Sequence, residues 1–177
     1  MKTRDLAYTA LGAVLIAVCS WIAVPAPVPF TLQTFAVFCV LELLGGRRGT
    51  LAILVYLLLG AAGLPVFSGF RGGFGALLGA TGGYLLGFLL TGLVYWLFER
   101  FTQHRALRVL ALVLGLALCY AFGTLWFVRV YARAGGAVSA ASALGLCVLP
   151  FLLPDALKLA LALLLVRRLR PLLGREE

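Results

Sequence analysis

Apolar residues run in long blocks through this chain, and polar residues gather in short clusters between them. Residues 6–24, LAYTALGAVLIAVCSWIAV, form the first block, which Pro25 and Pro27 close. Its 19 residues match the length that crosses a bilayer and exceed a usual signal-peptide core, so a mature helix is expected. Residues 25–34, PAPVPFTLQT, then place three prolines within five positions. Each proline removes a donor and restricts its predecessor, which predicts an irregular outer loop, and Val28 and Phe30 turn that loop back onto the protein. Apolar blocks at 31–45 and 50–63, joined by the turn GGRRG, predict two short helices. About 15 residues reach only about 22 Å of an apolar layer about 30 Å thick, so the flanking loops must dip into it, lined by protein. Further helices are expected over 76–98, 107–131 and 139–166, the last containing Pro150 and Pro154. The pattern predicts an all-α integral membrane protein. One domain, 1–177, holds six transmembrane helices in one bundle, with outer loops folding back over a ligand cavity.

Composition supports a membrane rather than an aqueous setting, with 63% hydrophobic and only 12% charged residues. A net charge of +9 raises the question of nucleic acid, and the placement of the charges answers it. Lys2, Arg4, Arg47, Arg48, Arg100, Arg105, Arg108, Arg167, Arg168, Arg170 and Arg175 fall at one set of block ends, with Arg71, Arg129 and Arg133 at the other. The positive-inside rule puts both termini in the cytoplasm, so the basic residues record topology and contact with membrane lipids, not a nucleic-acid partner. Cys19, Cys39, Cys119 and Cys147 sit inside apolar blocks without ligand spacing, as buried free thiols do. His104 lies in a polar stretch and reads as a solvated loop residue.

Two stretches carry candidate chemistry. In GLPVFSGFRGGFGALLGATGGYLLGF, residues 63–88, Gly75, Gly79, Gly83 and Gly87 recur every four positions, and one more interval back lies Arg71. On one helix this spacing predicts a side-chain-free groove with a cation at its mouth, suited to a small anionic molecule or to close helix packing. In PFLLPDALKLALALLLV, Asp155 and Lys158 stand three apart on one face of a spanning helix. Such intramembrane charges are costly and mark a ligand site or a structural ion pair. Glu42, near Arg47 and Arg48, is read as pairing or snorkelling at the cytoplasmic interface and not as a ligand contact. Ala10, Ala13 and Ala17, with Gly12, give the first helix a small-residue face for packing in the bundle or against another subunit.

Neither a paired carboxylate set, a metal cluster nor a GxxxxGK[ST] loop is found, so the chain reads as neither an enzyme nor an ATPase, with no catalytic residue, metal or cofactor. PVPFTLQTFAVF, LLGAAGLPVF followed by GFRGGFGALLGATGGYLLGF, and PDALKLALA together resemble the BioY family, the biotin-binding S components of energy-coupling-factor (ECF) transporters. The likeness spans the chain, with Ala80 standing where the family often has Pro. It implies capture of biotin at a bacterial plasma membrane and association with an ECF transmembrane coupling subunit and two cytoplasmic ATPases. Ala10, Ala13 and Ala17 are then expected on the coupling surface. Biotin carries an anionic tail and a ureido group with two N–H donors. Arg71, Tyr84, Asp155 and Lys158 are the expected binding residues, with Phe67, Phe70 and Phe74 as further walls. Asp155 would accept a ureido N–H, Lys158 would pair with it or donate to the ligand, and Arg71 would meet the carboxylate. The competing readings are a membrane-embedded enzyme acting on lipid head groups, and a solitary secondary transporter coupled to protons through Asp155.

Overall fold

The computed structural model describes residues 3–25, 28–133 and 140–171; Lys2, Pro27 and Arg175 lie outside the described residues. In chain order the elements are α1 (Thr3–Trp21), β1 (Ala23–Val24), β2 (Phe30–Thr31), α2 (Gln33–Ala61), α3 (Phe74–Leu78), α4 (Gly82–Phe101), α5 (Arg105–Arg133), α6 (Ala140–Cys147) and α7 (Leu149–Leu169). Strands β1 and β2 pair antiparallel, Ala23 with Thr31 and Val24 with Phe30, so the expected loop over 25–34 holds a strand at Phe30–Thr31 and the start of α2 at Gln33. Among the described residues four helical stretches, Thr3–Trp21, Gly82–Phe101, Arg105–Arg133 and Ser142–Leu169, are long and apolar enough to cross a membrane.

Element α2 supplies the two short helices. It doubles back at Gly45, whose φ of 79° and ψ of 168° leave the helical region, a conformation glycine adopts without steric cost. The reversal sets 33–44 beside 46–61. Gln33 Nε2 donates to Tyr56 Oη at 2.9 Å, and a Cβ on Gly49 would stand 3.0 Å from Leu41 Cα. The turn is fixed from outside by Glu99, whose Oε2 accepts from the Gly46 N–H at 2.6 Å.

Helix α1 lies along α2 through its small residues. Gly12 meets Ala52 and Leu44, and Ala13 and Ala17 are buried. This corrects the expected coupling surface: Ala13 and Ala17 already serve packing within the chain, and only Ala10 is exposed. The outward face of α1 is Leu11, Val14, Leu15 and Val18.

The glycine ladder is split. Gly79 is extended, with ψ of 177°, and ends α3, so Gly75 and Gly79 do not share a helix with Gly83 and Gly87. The bend forms with Ala80 in place of proline, held where Trp126 Nε1 donates to the Gly79 carbonyl at 3.0 Å. Beyond it, Gly83 faces Trp126 and Gly123, and Gly87 faces Cys119. These two glycines let α4 approach α5 closely.

The last predicted helix is broken in two. Pro150 lacks the N–H that would continue the ladder, and Val148 leaves helical geometry with φ of −124°, separating α6 from α7. Along α7, Asp155, Lys158, Leu159, Ala162 and Val166 turn inward, while Leu153, Leu157, Leu161 and Leu164 are exposed. This is the division expected of a helix with one face in the bundle and one in lipid. The architecture is that of a multi-pass membrane protein.

At the end of the bundle away from the proline-rich segment, polar groups join the chain's separate passes. Arg48 pairs with Asp5 at 2.6 Å. Glu42, expected beside Arg47 or Arg48, instead accepts from Tyr95 Oη at 3.0 Å and faces Arg170 at 3.6 Å. The hairpin turn carries Arg47 and Arg48 away from it.

Candidate ligand-binding site

A cavity of about 210 Å³ opens within the bundle, and Asp155, Lys158, Tyr84 and Arg71 all line it. Its buried charged groups are the Asp155–Lys158 pair, 3% and 5% exposed. Lys158 Nζ stands 2.7 Å from Asp155 Oδ1. Thr34 Oγ1 donates to the same oxygen at 3.1 Å, and Tyr120 Oη donates to Oδ2 at 2.5 Å. A carboxylate offers about four lone-pair sites across its two oxygens. Among the described residues three are taken, which leaves one on Oδ2 for a further donor.

Lys158 is held as firmly. Its ammonium group also lies 3.4 Å from Thr34 Oγ1 and 4.2 Å from the centre of the Phe30 ring, a cation–π contact that steadies a desolvated charge. Phe30 in turn stacks on Phe151. Pairing, hydroxyl donors and an aromatic face together make a buried charge tolerable in this fold. The arrangement draws on β2, α2, α5 and α7.

Tyr84, also buried, reaches Thr124 through its hydroxyl at 3.0 Å and lines the cavity with Phe88 on the same helix. The opposite wall is nearly free of side chains: Gly75, Ala76, Gly79 and Ala80 border the cavity. The expected glycine groove is thus present at its α3 half only.

Arg71 lines the same cavity from an exposed position. Its Nε donates to the Ser68 carbonyl at 3.3 Å, and no carboxylate among the described residues pairs with it. Phe67 is buried and lines the cavity as expected. Phe70 and Phe74 do not. They are 65% and 69% exposed, because Phe70 takes φ of 57° and turns onto Trp21, ring centres 5.2 Å apart.

Sequence reasoning missed Thr34, Tyr120 and Phe30. For Thr34 a signal existed, since Thr31, Gln33 and Thr34 interrupt an apolar entry to α2. Tyr120 shares its apolar helix with Trp126 and Tyr131, and nothing local sets it apart from them. Two of the four buried free cysteines, Cys119 and Cys147, also line the cavity.

A helical membrane bundle around a largely apolar cavity, with a buried carboxylate–ammonium pair and a guanidinium that no described carboxylate pairs, has the features of a membrane protein with a small-ligand site. The chain belongs to the BioY family, whose model matches residues 1–175. It is 40% identical over 170 residues to the biotin transporter BioY of Thermotoga maritima, covering 96% of this chain and 97% of that one. It is 37% identical to the probable biotin transporter BioY of Pyrococcus horikoshii, covering 96% and 98%. Among solved structures it is similar to the S component for biotin from an ECF-type ABC transporter, with a TM-score of 0.83, 27% identity, and coverage of 96% of this chain and 92% of that one.

Proposed function

We propose that this chain captures biotin and carries it across the membrane as the substrate-specific component of an ECF-type transporter. The observation that carries the reading is the Asp155 carboxylate, buried beside Lys158 at the cavity wall with one acceptor site on Oδ2 unfilled. A ureido ring brings the complementary donors. One N–H reaches Asp155, Lys158 pairs with that carboxylate or donates to the ureido carbonyl, and apolar walls that include Tyr84 and Phe67 surround the rest of the ligand. The anionic tail then meets Arg71.

Displacement of labelled biotin from the purified chain by analogues tests this orientation. Biotin should compete about tenfold better than its neutral carboxyl-amide, the scale of one charge-assisted hydrogen bond. Arg71→Ala should remove that preference. An equal loss of affinity for both ligands would make Arg71 a scaffold residue.

The chain acts in a bacterial plasma membrane, with a transmembrane coupling subunit and two cytoplasmic ATPases as partners and lipid around it. It performs binding and carriage, and the reading assigns no catalysis, metal or cofactor to it. Both termini face the cytoplasm. This orientation is supported by the excess of basic residues at the bundle end where Asp5 meets Arg48 and Glu42 meets Arg170. Cysteines placed at Arg47, Arg100 and Arg105 should resist an impermeant maleimide in intact cells and react after permeabilisation. Labelling from outside at any of the three would reverse the topology.

A further inference from the structure

We infer that Ser20 and Trp21, at the end of α1, are positioning residues that clasp the loop carrying Arg71 and so hold its guanidinium at the cavity. The inference rests on the reading of Arg71 as the contact for the anionic tail. Loop 62–73 is closed on itself. The Gly73 N–H donates to the Gly60 carbonyl at 2.6 Å, and the Phe67 N–H donates to the Arg71 carbonyl at 2.9 Å. Its ends are therefore pinned together, and Arg71 is backbone-paired to Phe67, whose ring is buried edge-on against Tyr56. Compact loops of this kind are frequently functional.

Helix α1 grips the outer limb of this loop at three points. Ser20 Oγ, itself buried, lies 2.5 Å from the Val66 carbonyl. Trp21 Nε1 donates to the Pro65 carbonyl at 2.8 Å. The Trp21 ring stacks on Phe70 with centres 5.2 Å apart and planes 25° from parallel. Phe70 immediately precedes Arg71 and has φ of 57°, a conformation uncommon for a bulky residue and kept only where its surroundings impose it. The stacked indole is such a constraint. A tryptophan merely anchoring α1 at the lipid interface would need neither the carbonyl bond nor the stack.

The experiment joins hydrogen exchange to ligand discrimination, using the purified full-length chain. In Trp21→Ala the Phe67 and Gly73 amides should exchange at least about tenfold faster while amides of α4 and α5 keep their rates, as local opening of one loop requires. Affinity for biotin should fall about tenfold, with that for the neutral carboxyl-amide held within about twofold. Adding Trp21→Ala to Arg71→Ala should cost nothing more, because the clasp acts through the arginine. Trp21→Phe keeps an aromatic stack and should restore most of the protection. Ser20→Ala supplies the same test should Trp21→Ala fail to fold.

Unchanged exchange in the loop would overturn the clasp outright. So would full additivity of the Trp21 and Arg71 losses. The Arg71→Ala arm keeps the two ideas apart. If that variant loses both ligands equally while Trp21→Ala still loosens the loop, the reading of Arg71 has failed and the positioning role falls with it. If Arg71→Ala discriminates and Trp21→Ala does not, the clasp alone is wrong.

Discussion

Asp155→Asn should weaken biotin binding by roughly tenfold to more than a hundredfold, the worth of about 1.5 to 3 kcal/mol for a hydrogen bond to a charged group. The substitution keeps the shape of the side chain and removes the charge. Its amide also offers an N–H₂ where one carboxylate oxygen accepted, so either Tyr120 and the ligand's donor, on Oδ2, or Thr34 and Lys158, on Oδ1, lose an acceptor. The change leaves Lys158 buried and without its counter-charge, and breaking such a pair costs about 3 to 5 kcal/mol of stability. Two effects are thus superposed in the single variant. Replacing Asp155 by Asn and Lys158 by Met together separates them. A pair that is only structural can often be exchanged for neutral side chains at little cost to folding. A pair that also reads the ligand cannot be exchanged without loss of binding. Isothermal titration of both variants, with thermal unfolding as the check on folding, measures each effect. Retained affinity in a folded double variant would remove Asp155 and Lys158 from the site.

Uptake of labelled biotin should depend on the coupling module, falling to near background in cells that express the chain but lack the coupling subunit and ATPases. The chain has no nucleotide loop of the GxxxxGK[ST] type in its sequence. A solitary carrier would need a group free to take up and release a proton during transport. Asp155 is the intramembrane carboxylate offered for that role, and it is bound by Lys158, Thr34 and Tyr120. Uptake at the full rate without the module, abolished by a protonophore, would establish the solitary carrier instead.

Helical class and the intramembrane pair were legible in the sequence because they depend on local patterns. Block length and apolar content mark a spanning helix, and spacing of three puts Asp155 and Lys158 on one face wherever that helix lies. What was not legible depends on reversals and distant partners. The period of four in the glycines assumed one continuous helix, and an extended Gly79 separates the halves. Glu42 was matched to its nearest cations in sequence, yet its partners are Tyr95 and Arg170, 53 and 128 positions away. Small residues on α1 mark a close contact without naming the other side, and here α2 occupies it at Gly12. Phe70 was read as a wall from its place beside Arg71. Its positive φ, invisible in composition, sends the ring to Trp21.

The central claim is that the isolated chain is itself the biotin receptor. Equilibrium dialysis of radiolabelled biotin against the purified, folded protein, with no coupling subunit or ATPase present, tests it most directly. Saturable binding of one biotin per chain, displaced by unlabelled biotin, is the predicted result. Absence of saturable binding to the folded chain would contradict the account.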